Sequence, residues 1–224
     1  MSKEKTSTYY DSVFGESESY NTSFKNSPYW VHWTQVLKFL YKNKSIKILD
    51  VGCGTGQLAD YFFREGFLNY CGFDFSSVAI EKAKKVVPQY DFFEGDARKP
   101  EAYKRCPYDV IVCLEVLEHI KDDLGVVKNI EKGKRVIFSV PDFWEASHVR
   151  RFPTERKIKS RYYRLLDIKK IIRIGNIYVC DSYRSDFKPN LFQQILKTRE
   201  SVKIHSITKR LTHRYLKLRD SFFN

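Results

Sequence analysis

A short apolar run that ends in an acid and enters a glycine-rich turn restricts the fold of this 224-residue chain more than any other feature. Residues 48–51 read Ile-Leu-Asp-Val, and Gly52, Gly54 and Gly56 follow in a G-x-G-x-G spacing. Glycine lets a turn approach a ligand closely, and parallel sheets use such turns to point backbone N–H groups at it. The pattern predicts an α/β fold with a binding turn after its first strand.

The residues around the glycines indicate the charge of the ligand. A dinucleotide-binding turn, G-x-G-x-x-G, would place its third glycine one residue later than Gly56. Asp50 precedes the first glycine, where a carboxylate would repel a phosphate. We therefore expect a ligand that carries a positive charge.

With these residues the chain resembles the class I S-adenosylmethionine-dependent methyltransferases, whose ligand bears an ammonium and a sulfonium group. Segments 70–74, 92–97, 108–114 and 134–140 match the second to fifth strands of that family in order and spacing. The resemblance covers about residues 44–141. It implies S-adenosylmethionine as cofactor and a doubly wound, mostly parallel Rossmann-like sheet with helices on both faces.

The resemblance also implies which residues bind the cofactor. Asp74 would accept hydrogen bonds from both ribose hydroxyls, and Asp96 would face the exocyclic amine of adenine. Cys53 would be a small residue that fills the turn rather than a nucleophile. The full expected set is Asp50, Gly52, Cys53, Gly54, Gly56, Asp74, Phe75, Asp96, Ala97 and Leu114.

The chemistry is expected in the E-x-x-E-H motif that follows the fourth strand. If a helix starts there, Glu115, Glu118 and His119 share one face. The motif resembles those of ubiquinone-biosynthesis O-methyltransferases and of small-RNA 3′-terminal 2′-O-methyltransferases, where it implies Mg²⁺ or another divalent metal on these three side chains. Two alternatives stay open: His119 acts as a general base without a metal, or the motif is structural.

Positive charge is concentrated in the last third of the chain. Residues 150–224 hold 20 of the 40 Lys and Arg but only 6 of the 27 Asp and Glu. Seven of these bases lie in residues 150–164, interleaved with Phe152, Tyr162 and Tyr163, after the fifth strand. Ligands of α/β sheets bind at that edge, so we expect a basic lid over an anionic acceptor. A solvated basic surface is the alternative.

We expect a single domain in three parts. Residues 1–45 would form a cover segment and a helix, residues 46–190 the core with its lid, and residues 191–224 a basic amphipathic helical region. That last region would pack on its own domain, on an anionic membrane surface or on a partner chain. Within the core, residues 165–173 predict a helix and residues 176–187 a sixth strand, and no seventh strand is evident.

Cysteine usage and hydropathy predict a cytoplasmic protein, soluble or peripheral to a membrane. The five cysteines show no C-x-x-C pair that would suggest zinc or disulfides, and no window approaches a membrane span or a signal peptide.

The expected function is S-adenosylmethionine-dependent O-methylation of a small anionic acceptor, such as a phosphorylated or carboxylated sugar or a lipid-linked metabolite. Glu115 and His119 would be catalytic. RNA 2′-O-methylation is the second hypothesis. Resemblance to the RNA family implies a further histidine ligand, and His148 after the fifth strand could approach the site, but its neighbours do not reproduce the pattern of that family. A non-catalytic cofactor-binding module that docks on a membrane or a partner is the third.

Overall fold

The computed structural model describes residues 3–186, whose centre is a seven-stranded sheet in the order β3-β2-β1-β4-β5-β7-β6. The first five strands are parallel, and β7 lies antiparallel between β5 and β6. The strands are β1 (Ile48–Val51), β2 (Tyr70–Asp74), β3 (Asp91–Glu94), β4 (Val110–Cys113), β5 (Arg135–Pro141), β6 (Leu166–Ile174) and β7 (Ile177–Arg184).

Helices cover both faces of the sheet and bury its strands from two sides. They are α1 (Ser7–Glu16), α2 (Trp30–Leu40), α3 (Gln57–Arg64), α4 (Ser77–Val86), α5 (Asp123–Asn129) and α6 (Glu155–Tyr162). Alternate residues of β4 enter two separate core clusters, Ile111 with the α5 and α6 side and Val110 with the α2 and α3 side. Burial on both faces explains why the parallel strands read as continuous apolar runs.

The expected doubly wound, mostly parallel sheet is confirmed, but two expectations for its far edge are wrong. Residues 165–173 form strand β6 instead of a helix, and the sheet has a seventh strand. A shift in the pairing with β7 between Ile168 and Lys170 interrupts the alternation of β6. The apolar residues then recur at steps of three, which resembles a helical pattern.

Residues 150–164 do follow β5, but much of this segment is part of the core. Phe152, Ile158 and Tyr162 are buried among the side chains of the α5 side. Arg161 pairs with the buried carboxylate of Asp123, which also accepts a hydrogen bond of 2.8 Å from the Tyr162 hydroxyl. Two of the three aromatic residues of the expected lid therefore stabilise the fold.

Cys71 of β2 and Cys106 form a disulfide, so the expectation of unpaired cysteines is wrong for this pair. The two residues are 35 positions apart, and only the fold brings their Cα atoms within 6.5 Å. Within residues 3–186, no helix has both the length and the apolar character that crossing a membrane requires. The amphipathic region predicted at 191–224 lies outside the described residues.

Candidate active site

The glycine turn lies where the carboxyl ends of β1 and β4 open a crevice in the sheet. Strand β1 pairs with β2 on one side and β4 on the other, so chain connections leave in opposite directions at this point, as at α/β binding sites generally. Gly56 has a φ of +85°, and a Cβ there would lie 2.9 Å from the Cα of Ala83 in α4. The turn therefore requires glycine at this position.

Two buried acids flank the turn. Asp50 is 2% exposed and accepts a hydrogen bond of 2.6 Å from the Tyr70 hydroxyl. Burial raises its pKa to about 7, and the neighbouring Asp74 adds to the rise. Burial also raises the pKa of Asp74 to about 6, although backbone N–H groups of Ser76 and Gly54 donate to its two oxygens at 3.0 Å and oppose the rise. A positively charged ligand would relieve both acids.

Two cavities adjoin at the turn, one of about 100 Å³ and one of about 210 Å³. We call them the first and the second cavity. Five residues line both cavities: Tyr10, Phe14, Gly52, Glu115 and His119. The remaining expected cofactor residues divide between them: Asp74, Phe75, Asp96 and Ala97 line the first cavity, and Asp50, Cys53, Gly54 and Leu114 line the second. Gly56 instead packs behind the turn against α4.

Asp96 stands at the rim of the first cavity in an ion pair. Both of its oxygens accept hydrogen bonds from the Arg98 guanidinium at 2.7 to 3.0 Å. Partial burial alone would raise the pKa of Asp96, but the bonds from Arg98 outweigh it and the pKa is lowered. The carboxylate thus stays charged and can accept a further hydrogen bond from a ligand.

The N-terminal segment, residues 3–27, covers the crevice and is tethered to the binding turn. Thr55 donates to the carbonyl oxygen of Tyr20 at 2.6 Å, and the Gln57 amide donates to the carbonyl oxygens of Ser19 and Thr22. The Lys82 ammonium donates to the carbonyl oxygen of Phe14 at 2.6 Å. Side chains of α1 are thereby held against both cavities.

The helix expected to begin at Glu115 does not form. Residues 114–121 make a turn, and the next helix starts at Asp123. Glu115 itself has a φ of +54°, which is incompatible with a right-handed helix and uncommon for a side chain of this kind. Its backbone N–H donates to the Ser139 hydroxyl at 2.8 Å, and that hydroxyl donates to the Glu115 carboxylate at 2.6 Å. Strand β5 therefore holds Glu115.

The turn nevertheless brings three potential metal ligands together: Glu118, His119 and His148 each offer an atom within 4.8 Å of the others. Glu118 is fully buried, and both of its carboxylate oxygens lack a hydrogen-bond partner among the described residues. Burial raises its pKa to about 8, an effect that the nearby Arg150 partly opposes. The cluster contains His148 where the sequence suggested Glu115.

Both imidazoles of the cluster bind a backbone carbonyl through Nδ1, and Nε2 of His148 lies 3.7 Å from the Glu145 carboxylate. His119 Nδ1 lies 3.1 Å from the carbonyl oxygen of Ser147, and His148 Nδ1 lies 3.2 Å from that of Phe143. A carbonyl only accepts, so each Nδ1 carries the hydrogen and each Nε2 the lone pair. Burial lowers both histidine pKa values, which favours the neutral rings. Unpartnered carboxylate oxygens beside two such nitrogens fit a divalent cation.

One arginine joins the two segments that carry the cluster. The Arg150 guanidinium donates to the carbonyl oxygens of Leu117, Ile120 and Lys121. Beside it, the backbone N–H of Val149 donates to the carbonyl oxygen of Glu118 at 2.8 Å. This pairing brings His148 to Glu118, and no local spacing in the sequence could have indicated it.

Comparison with known proteins identifies the family of this chain. A family model described as a methyltransferase domain matches residues 28–182. The ubiquinone biosynthesis O-methyltransferase of Vibrio parahaemolyticus is 28% identical over 136 residues, 57% of this chain and 52% of that enzyme. The chain thus spans about half the length of such curated relatives.

Solved structures share the fold. Magnesium protoporphyrin IX methyltransferase from Synechocystis PCC 6803, with bound SAH, superposes with a TM-score of 0.54 at 19% identity, over 69% of this chain and 82% of that one. The methyltransferase domain of bacterial CtHen1-C gives 0.57 at 17% identity, over 69% and 97%. The chain therefore belongs to the methyltransferase domain family.

Proposed function

We propose that the protein transfers the methyl group to a hydroxyl oxygen of a small molecule bound in the second cavity. The observation that carries this proposal is the position of the Glu118, His119 and His148 cluster: two of its members line that cavity, beside the glycine turn. A neutral imidazole with an available lone pair is suited to accept a hydroxyl proton.

The cofactor would span the two cavities. Asp74 would hold the ribose hydroxyls and Asp96 the adenine amine in the first cavity. Asp50, which lines the second cavity, would face the positively charged methionine part. The raised pKa values of Asp50 and Asp74 support this arrangement, since each acid gains from a nearby positive charge.

The transfer itself is a displacement at the methyl carbon. The acceptor oxygen forms the new O–C bond as the C–S bond breaks, and the electron pair of that bond stays on sulfur to give S-adenosylhomocysteine. The hydroxyl proton passes to Nε2 of His119. Holding donor and acceptor in line supplies most of the acceleration, because the sulfonium is already a good leaving group.

A divalent metal would change how the proton is handled. Glu118, His119 and His148 would hold it, and the metal would lower the pKa of the acceptor hydroxyl. The Nε2 lone pair of His119 cannot bind a metal and accept a proton at once. Glu115, which lines both cavities and accepts a hydrogen bond from Ser139, is then another potential base, with a pKa that burial raises.

The charged residues that line the second cavity limit which part of an acceptor can enter it. The second cavity is lined by Asp50, Glu115 and Glu145, with no lysine or arginine among its described lining residues. Arg150 and Arg161 of the expected lid are bound to backbone carbonyls and to Asp123. We therefore propose that an anionic acceptor would keep its phosphate or carboxylate outside the cavity and insert only its hydroxyl-bearing part.

RNA 2′-O-methylation is the second candidate, favoured by one observation. His148 joins Glu118 and His119, and a further histidine ligand is what the resemblance to the RNA-modifying family implies. Steep loss of RNA methylation with rising salt, together with a requirement for added metal, would support it.

The test is methyl transfer from radiolabelled S-adenosylmethionine to catechol, 3,4-dihydroxybenzoate and a 3′-terminal RNA oligonucleotide. His119→Ala should lower turnover of the preferred acceptor by about 10²-fold or more. Binding of S-adenosylhomocysteine should change little, since the substitution leaves the two buried acids in place. Equal turnover by the variant would exclude His119 from proton transfer, and preference for the RNA would select the second candidate.

A further inference from the structure

Helix α1 places one tyrosine between the two cavities. Tyr10 lines both, and its ring packs edge-to-face on His119 with centroids 5.8 Å apart. On the other side its centroid is 5.3 Å from that of Phe75, which lines the first cavity. The side chain therefore stands at the junction of the two cavities, where the methyl group of a cofactor that spans them would meet an acceptor in the second cavity.

The Tyr10 hydroxyl is buried without a hydrogen bond of good geometry, although the Ser147 side chain is close to it. A tyrosine phenol is protonated at neutral pH and is therefore a hydrogen-bond donor. Leaving such a donor unsatisfied costs about 1 to 3 kcal/mol, which a ligand with an acceptor oxygen would recover.

Glu118 has the complementary deficit. Its two carboxylate oxygens lack donors among the described residues, and one of them lies 3.9 Å from Nε2 of His119. Glu118 lines neither cavity, but His119 lines both and its ring contacts that of Tyr10. A hydroxyl group is the simplest group that satisfies both Tyr10 and His119, since its oxygen accepts one hydrogen bond while its O–H donates another.

We propose that Tyr10 is a further catalytic residue, which donates a hydrogen bond to the oxygen that becomes methylated. The acceptor O–H would then point to Nε2 of His119, and a lone pair of the oxygen would face the methyl carbon. Tyr10 keeps its own proton throughout, so the transfer remains balanced as written above. This role rests on the proposed hydroxyl acceptor, and it makes α1 part of the catalytic machinery rather than only a cover.

The test compares wild type, Tyr10→Phe and Tyr41→Phe with 4-nitrocatechol, a hydroxyl acceptor whose visible absorbance changes on binding and deprotonation. Tyr41 is 63% exposed at the end of α2, so the same substitution there controls for loss of a phenol hydroxyl. Binding is measured on the complex with S-adenosylhomocysteine, and turnover with S-adenosylmethionine. Phenylalanine keeps the ring contacts of Tyr10, and thermal unfolding checks that each variant is folded.

Tyr10→Phe should weaken binding of 4-nitrocatechol about 10-fold, the loss of one hydrogen bond, and lower turnover at least as much. Its affinity for S-adenosylhomocysteine should stay within about twofold of wild type, and Tyr41→Phe should resemble wild type in every measurement. Equal binding and turnover by Tyr10→Phe, or loss of S-adenosylhomocysteine binding in that variant, would overturn the role of Tyr10 alone. No binding and no turnover by the wild type would refute the hydroxyl acceptor itself, and this role with it.

Discussion

Replacing Asp50 by asparagine should make the cofactor-free protein more stable above pH 7 and unable to hold its cofactor. Burial raises the pKa of Asp50 from 3.8 to about 7, a difference of roughly 3 units. At about 1.4 kcal/mol per unit, the buried carboxylate costs the folded state about 4 kcal/mol once it is ionised. Asparagine keeps an oxygen for the Tyr70 hydroxyl but buries an amide N–H₂, so we expect a net gain of about 2 to 3 kcal/mol.

Rising pH destabilises the folded protein between the unfolded and the folded pKa of Asp50. Between pH 4 and pH 7 the unfolded chain has released the Asp50 proton while the folded protein still keeps it, so rising pH favours unfolding. The advantage of Asp50→Asn should therefore be small near pH 4, grow through this interval and level off above pH 7. Without the carboxylate, the positive methionine part of the cofactor loses its counter-charge, and binding should fall by about 10²-fold or more.

Urea unfolding at pH 4.5, 6 and 8 measures the free energy of unfolding, and calorimetry with S-adenosylmethionine measures binding. Asp109→Asn is the matched control, because Asp109 is an exposed acid just before β4 that accepts a hydrogen bond from the Lys47 N–H. If the free energy of unfolding depends on pH in the same way in wild type and Asp50→Asn, then Asp50 does not keep its proton in the folded protein up to about pH 7. If the variant binds the cofactor as wild type does, the role assigned to Asp50 is wrong.

Three further substitutions probe the glycine turn, the core and the metal cluster. Gly56→Ala should destabilise the protein by about 1 to 3 kcal/mol in thermal unfolding, because its Cβ meets the backbone of Ala83 at a positive φ; an unchanged Tm would contradict the geometry. Asp123→Ala should cost about 3 kcal/mol in urea unfolding, since it leaves two arginines without their buried partner, and a loss below about 1 kcal/mol would refute this. His148→Ala should weaken Mn²⁺ binding, measured by calorimetry, about 10-fold or more, whereas His32→Ala, outside the cluster, should not; equal losses would argue against a metal at this site.

The sequence predicted the first five strands well because each is short, buried on both faces and followed by an acid or a turn. Strand β6 was harder to predict. In β6 the pairing shift after Ile168 breaks the period of two, so that a strand carries a helix-like pattern. The disulfide of Cys71 with Cys106 likewise depends on two elements meeting in space, and no local spacing indicates it.

The candidate site was also only partly predictable from the sequence. The identities of Glu118 and His119 could be predicted from a motif, but their geometry could not, because the positive φ of Glu115 replaces the expected helix with a turn. His148 enters the cluster through backbone pairing of the next residue with Glu118, a contact between distant segments. The unpartnered hydroxyl of Tyr10 could be found only after the fold had brought α1 to the crevice.

The hydrogen bonds of Arg150 have a consequence for how this protein could change over time. Arg150 binds the turn at 117–121 to the segment that carries His148, so the groups proposed to handle the proton belong to one hydrogen-bonded unit. Much of the aromatic wall of the second cavity, including Tyr20 and Tyr29, comes from the N-terminal 30 residues instead. Substitutions there can reshape the cavity for another molecule while the proton-handling unit stays intact, so a new acceptor can be acquired without rebuilding the chemistry.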